Sequence, residues 1–150
     1  MNPNTFLAFF AFVSLSFLSL SCSNDGNTSN TNSENVAQLQ DAIIQGSWKI
    51  TRFIEDGVNQ TSNYNGFNFT FNTNGTVLAT NGSTPINGTW STNVNSSGTP
   101  KFVLNFNISN GPFDEISEDW NIEAVSSTVI DLKHVSGGDG SIDLLLFTKN

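Results

Sequence analysis

Residues 66–75 read GFNFTFNTNG and contain the clearest fold signal in the chain. Phe67, Phe69 and Phe71 alternate with small polar residues, so an extended chain here has one aromatic face and one polar face. The TNG at residues 73–75 is a strong signal for a tight hairpin, and a second run rich in β-branched residues follows it. This stretch predicts two antiparallel strands with one buried face.

The same alternation continues on both sides of that hairpin. Turn residues separate most of the alternating segments, and no helical pattern lies between them, which favours sequential antiparallel pairing. Eight such strands can close into a barrel without exposed edges. We therefore predict an all-β fold, an eight-stranded antiparallel up-and-down barrel. Its predicted strands are residues 47–55, 66–72, 76–80, 86–92, 101–108, 118–125, 128–135 and 141–148.

A short helix is predicted before the first strand. Residues 35–45 place four aliphatic side chains at helical spacing. Asn35 stands at the N-cap position and Gly46 at the C-terminal stop position. We expect this helix to lie over one end of the barrel.

The N-terminal 21 residues have the character of an export signal. Residues 6–20 read FLAFFAFVSLSFLSL, an uncharged run shorter than the roughly 20 apolar residues of a membrane span. The small residue Ser21 and the only cysteine, Cys22, follow it. The stretch resembles a bacterial lipoprotein signal peptide with its lipobox, and the overall appearance resembles Bacteroidetes lipoproteins. The alternative is a secreted protein with an incidental cysteine.

That resemblance implies cleavage before Cys22 and acylation of its thiol. We divide the chain into a signal peptide (1–21), a flexible tether with lipidated Cys22 (22–34) and a barrel domain (35–150). Residues 23–33 are Asn, Ser, Thr, Gly and one Asp, which cannot form a core. The expected location is the cell envelope, anchored by lipid to the outer membrane, on its periplasmic or its outer side.

A second resemblance concerns the barrel domain. Gly46-Ser47-Trp48, at the start of the first predicted strand, matches the G-x-W signature of lipocalins. The domain is similar to the small lipocalin-like domains of Bacteroidetes lipoproteins. In lipocalins the tryptophan closes the barrel floor and packs against a basic side chain near the last strand, and Trp48 and Lys149 take these places here. The other matching segments are Phe67 to Gly75, Thr89-Trp90, Trp120 to Thr128 and Leu145 to Lys149.

The aromatic side chains on the predicted inner face are the candidate ligand-binding residues. An eight-stranded barrel is wide enough either to be filled by side chains or to hold one small ligand. These rings therefore line an apolar cavity or fill a sealed core, and both interpretations remain open. The candidates are Phe67, Phe69, Phe71, Trp90, Phe102, Phe106 and Trp120.

Composition excludes several other functions. A net charge of −8 argues against nucleic-acid binding, and a single histidine excludes a multi-His metal site. We interpret the acidic residues Asp114, Glu115, Glu118 and Asp119 as a solvated loop, and His134 as a structural residue that points inward near a strand end. No motif for a nucleophile or phosphate-binding loop is present, so we expect that the protein is not an enzyme and has no cofactor and no metal. We also expect a monomer.

Two functions remain after these exclusions. The first is a membrane-anchored envelope lipoprotein whose lipocalin-like barrel binds a small hydrophobic ligand. The alternative is a packed-barrel interaction module that binds a protein or glycan partner through its loops or outer face.

Overall fold

The structure, a computed structural model, describes residues 28–83, 85–138 and 140–150. These residues form a closed eight-stranded antiparallel β-barrel with one extra short strand and an N-terminal helix, which confirms the predicted fold class. The predicted signal peptide and Cys22 lie outside the described residues. The strands are β1 (Trp48–Glu55), β2 (Val58–Asn59), β3 (Asn68–Phe71), β4 (Thr76–Thr80), β5 (Ile86–Val94), β6 (Pro100–Asn105), β7 (Asp119–Val125), β8 (Val129–Val135) and β9 (Ile142–Lys149).

The barrel is an up-and-down meander. Neighbours in the chain pair from β3 to β9, and β9 returns to β1 along its length, from Trp48 opposite Lys149 to Ile54 opposite Leu144. Each predicted strand overlaps one strand of this barrel. The alternating pattern was sufficient because every barrel strand has one face toward the core and one toward water.

Pairing between β1 and β3 is the shortest between neighbouring strands of the barrel. These strands pair only where Trp48 lies opposite Phe69, and the far end of β1 pairs instead with β2, an extension that sequence analysis missed. A 3-10 helix (Thr61–Tyr64) follows β2, and its Tyr64 is buried. Tyr64 lies where β1 and β3 diverge and lines the cleft between them, with its ring 5.5 Å from that of Phe53.

The N-terminal helix α1 (Thr28–Ile43) begins earlier than predicted. Residues 28–34, which we assigned to the flexible tether, are helical, and Asn35 lies inside the helix instead of capping it. A helix extends at low cost once its first turn exists, and contacts with the barrel hold this one. The Asn32 side chain donates to the Gly98 carbonyl at 2.6 Å, and Gln40 Nε2 donates to Thr92 Oγ1 at 2.6 Å.

Within the described part of the chain, no helix has both the length and the apolar character needed to cross a bilayer.

The long loop before β7 contains a helical turn that sequence analysis did not predict. This turn, α2 (Pro112–Glu115), has Pro112 at its first position, where the missing N–H costs nothing. Phe113 and Ile116 are buried, so α2 packs into the end of the barrel opposite α1.

Candidate functional site

Most of the predicted ligand-binding residues lie inside the barrel. Five of the seven are 2% exposed or less, and Phe67 and Trp90 are half-buried. The five buried candidates are Phe69, Phe71, Phe102, Phe106 and Trp120. The sequence pattern thus identified an inner aromatic face.

These rings contact one another edge to face. Phe69 lies 6.2 Å from Phe106 and 5.3 Å from Phe147, measured between ring centroids. Phe71 lies 6.1 Å from Phe102 and 5.7 Å from the same Phe147. Such edge-to-face pairs are the preferred packing of aromatic rings, worth about 0.5–1.5 kcal/mol each beyond the area they bury. The aromatic side chains therefore occupy the interior themselves.

Further buried rings complete this core and were not predicted as part of it. Phe53, Phe113 and Phe147 are buried, and Phe113 lies 4.8 Å from Phe106. Phe147 could have been recognised, because it alternates with Leu145 in the last strand. Phe113 could not, since it follows Gly-Pro in a segment that sequence analysis assigned to a loop.

Two helical segments cover the ends of the barrel. At one end α1 buries Leu39 and Ile43, and Trp48 Nε1 donates to the Ile43 carbonyl at 2.8 Å. Trp48 is fully buried, and Lys149 Nζ lies 5.7 Å from its ring centroid. At the other end Trp120 Nε1 donates to the Ile116 carbonyl at 3.2 Å, directly after α2.

The end of the barrel at α2 is acidic. Glu55 at the end of β1 hydrogen-bonds the Glu115 side chain, and the Asp56 amide donates to Asp143 Oδ1 at 3.0 Å. The hydrogen bond with Glu115, partial burial and the charges of Glu115, Asp143 and Asp56 raise the pKa of Glu55 to about 7. Burial, with the charges of Glu55 and Glu115, also raises the pKa of Tyr64.

The carboxyl pair predicts a pH-dependent stability. The unfolded value of the Glu55 pKa is 4.5 and the folded value is about 7, so its stabilising contribution is complete below the first and is lost as the pH rises through the second. Glu55→Gln cannot ionise. At about pH 8 we expect it to be more stable than the parent by up to about 1 kcal/mol, a value reduced by solvent screening.

Urea unfolding at about pH 4 and about pH 8 measures this effect. The advantage of Glu55→Gln should shrink toward zero at the lower pH. Glu123→Gln, which neutralises an exposed carboxylate on β7, is the matched control and should show no such trend. An equal gain at both pH values would contradict the raised pKa of Glu55.

The only histidine lies beside this acidic end, at the rim of the barrel. His134 Nε2 is 3.8 Å from Glu118 Oε2 and 3.8 Å from Asp119 Oδ1, while its Nδ1 is 3.4 Å from Asp143 Oδ2. Its ring also meets the Trp120 ring, with centroids 5.9 Å apart. The acidic residues and the histidine are distant in the sequence and were interpreted separately, and pairing of β7 with β8 brings them together.

A groove on the outer surface is lined by side-chain amides and hydroxyls. It runs along β5 and the end of β6, and its lining residues are Asn87, Gly88, Thr89, Asn105 and Asn107. Asparagine and threonine side chains both donate and accept hydrogen bonds. This groove can therefore form hydrogen bonds with a polar partner.

Comparison with known proteins adds a structural likeness. No protein-family model matches the chain, and no curated protein is similar to it in sequence. Among solved structures, the chain is similar to a DUF4847 family protein from Bacteroides vulgatus. The two share 15% identity with a TM-score of 0.48, over 75% of this chain and 97% of that one.

Proposed function

We propose that this chain is a cell-envelope lipoprotein whose packed barrel serves as a scaffold and binds a protein or glycan partner through its loops and outer surface. The observation that supports this proposal is the filled interior. The aromatic rings that sequence analysis considered as a cavity lining contact one another at centroid distances near 5–6 Å.

The competing function is transport or storage of a small hydrophobic ligand inside the barrel. A ligand in that position must displace rings such as Phe69 and Phe71, which are 2% exposed or less. It must also pass α1 or α2, which cover the two ends. Because protein cores are packed as densely as organic crystals, this displacement is costly. The packed-barrel function needs no such rearrangement.

The outer surface offers chemistry that suits a polar partner. The groove lined by Asn87, Thr89 and Asn105 places amide and hydroxyl groups among exposed carbon atoms. A hydroxyl-rich glycan or the backbone of a protein loop can satisfy such groups. No nucleophile with an adjacent base accompanies them in the described residues, so we propose binding without catalysis.

The proposed location follows from the N-terminus. Cleavage before Cys22 and acylation of its thiol would anchor the protein in the outer membrane. Each buried methylene of an acyl chain contributes about 0.8 kcal/mol, and several chains give durable attachment. The helix α1 from Thr28 would then leave only residues 23–27 between the lipid and the folded part.

Native mass spectrometry of the protein isolated from bacterial membranes tests both parts of the proposal. We expect a chain that begins at Cys22, carries covalent acyl chains and retains no non-covalent organic molecule. A non-covalent apolar molecule that is lost on denaturation would favour the carrier function. A Cys22→Ser variant should lose the covalent lipid, and a parent protein that carries no lipid would refute the anchor.

A further inference from the structure

Glu118, Asp119 and His134 form a cluster at the rim of the barrel. Glu118 directly precedes β7, Asp119 is its first residue, and His134 is near the end of the neighbouring strand β8. One oxygen from each carboxylate and a ring nitrogen of His134 lie within 4.8 Å of one another. The two carboxylates are half-exposed, whereas the His134 side chain is 15% exposed.

The donor set is typical of a transition-metal site. Imidazole nitrogen is a good ligand for zinc and its neighbours in the first transition series, whereas calcium and magnesium prefer oxygen alone. With metal–ligand bonds of about 2.0–2.2 Å, tetrahedral ligands lie about 3.4 Å apart. His134 Nε2 is 3.8 Å from each carboxylate oxygen. A shift of a few tenths of an ångström in the exposed carboxylates closes that difference.

The other imidazole nitrogen, Nδ1, is held by a carboxylate, as in many metal-binding histidines. Nδ1 faces Asp143 Oδ2 at 3.4 Å, and the Asp143 side chain is itself only 15% exposed. Asp143 is fixed in turn by the Asp56 amide. In the tautomer that carries its proton on Nδ1, His134 donates to Asp143 and the Nε2 lone pair faces Glu118 and Asp119. Carboxylate–histidine–metal arrangements of this type orient the ring and increase its basicity.

Two further contacts fix the orientation of the His134 ring and of the Asp119 carboxylate. The Trp120 ring packs edge-on against the His134 ring, which limits its rotation. Lys101 Nζ lies 3.3 Å from Asp119 Oδ2, so it holds one oxygen of that carboxylate and leaves Oδ1 toward His134. Asp56 and Asp143 lie together at the same end of the barrel and add negative charge there.

We propose that Glu118, Asp119 and His134 bind one divalent transition-metal cation of the zinc class, with Asp143 as the positioning residue behind His134. Water completes the coordination shell on the exposed side. This site is independent of the packed-barrel function, because it lies at the rim and uses none of the core rings as ligands. The bound metal links the start of β7 to the end of β8.

Calorimetric titration of the untagged protein with zinc chloride tests the proposal, after removal of metals with a chelator. We expect one zinc ion per chain, with no displacement by a large excess of magnesium. The chain has a single histidine, so its ring signals in an NMR spectrum are unambiguous and should shift at the same zinc concentration. Polyhistidine tags must be avoided for the same reason.

Four variants distinguish a specific zinc site from unspecific attraction of zinc to acidic groups. His134→Gln and Glu118→Gln should each weaken zinc binding at least tenfold. Asp143→Asn should weaken it by about tenfold, as is usual for residues that orient a metal ligand. Glu123→Gln removes the same charge from an exposed position on β7 and should leave the affinity unchanged. Circular dichroism of each variant reports whether the barrel is intact.

Three results would overturn the proposal. One is the absence of zinc-dependent heat and of any histidine shift at millimolar zinc. Another is equal weakening by Glu118→Gln and Glu123→Gln, which would indicate unspecific attraction. The third is magnesium or calcium binding as tight as that of zinc, which would mean that His134 is not a ligand. If folding prevents measurement of His134→Gln, the exposed Glu118→Gln and the histidine NMR signals decide the question.

Discussion

Replacement of Phe69 by alanine is expected to lower the free energy of unfolding by about 3–5 kcal/mol, the usual range for a buried aromatic ring. Phe69 is fully buried and contacts three other rings, with centroid distances of 6.2 Å to Phe106, 6.2 Å to Phe113 and 5.3 Å to Phe147. Because these neighbours come from β9 and from the segment between β6 and β7, they cannot collapse together into the space that is left. Most of the cavity should persist.

Urea unfolding followed by tryptophan fluorescence measures this loss. Val58→Ala changes a side chain that is 57% exposed and serves as the control, with an expected effect within about 0.5 kcal/mol. A loss below about 1 kcal/mol for Phe69→Ala would mean that the interior is loosely filled, since tight packing produces the larger cost.

The same variant distinguishes the two functions. An apolar cavity created by truncation in a protein core can bind benzene. We expect benzene binding in Phe69→Ala and none in the parent, measured by NMR in matched preparations. Benzene binding in the parent barrel itself would reveal an existing cavity and favour the ligand carrier.

Gly88→Ala is expected to cost about 1–3 kcal/mol through overpacking, and Gly88→Val more. A Cβ atom at Gly88 would lie 2.6 Å from the Asn105 carbonyl oxygen, 2.8 Å from Phe106 Cδ1 and 3.0 Å from Val77 Cγ1. The nearest of these atoms belongs to the backbone of the adjacent strand, so it can move only if β5 and β6 separate. Glycine at this position therefore allows close contact between the strands.

The control for Gly88→Ala is Gly137→Ala, where the added methyl meets nothing within 4 Å. Thermal unfolding should show a clear decrease for Gly88→Ala and little change for Gly137→Ala. Equal stabilities of the two variants would show that β6 can move away from β5 without loss of packing, and would contradict the expected clash with the Asn105 carbonyl oxygen.

The fold was predictable because its signals are local. Alternation in Phe67, Phe69 and Phe71 requires only that a strand has one wet face and one dry face. The start of α1 at Thr28 and the helical turn at Pro112–Glu115 were not predictable in this way. Both depend on contacts with the barrel, such as the hydrogen bond from Asn32 to Gly98.

The candidate sites also combine a local sequence signal with contacts that only the folded barrel forms. The alternation of residues along the strands predicted the inner aromatic face. That alternation is the same for rings that line a cavity and for rings that fill it. The edge-to-face contacts of Phe69, Phe71 and Phe147 are what favour the filled interior. The space inside a barrel depends on the shapes of side chains from all strands together.

The class of fold, the order of the barrel strands and the alternation of inward and outward side chains follow from the sequence, since they depend on the two-residue period of a strand and on the residues at its turns. Three features came from the three-dimensional arrangement alone: the rings contact one another, Glu55 hydrogen-bonds Glu115, and His134 lies among Glu118, Asp119 and Asp143. These groups are distant in the chain. Their meeting depends on strand register and barrel closure, which long-range packing sets and no local pattern encodes.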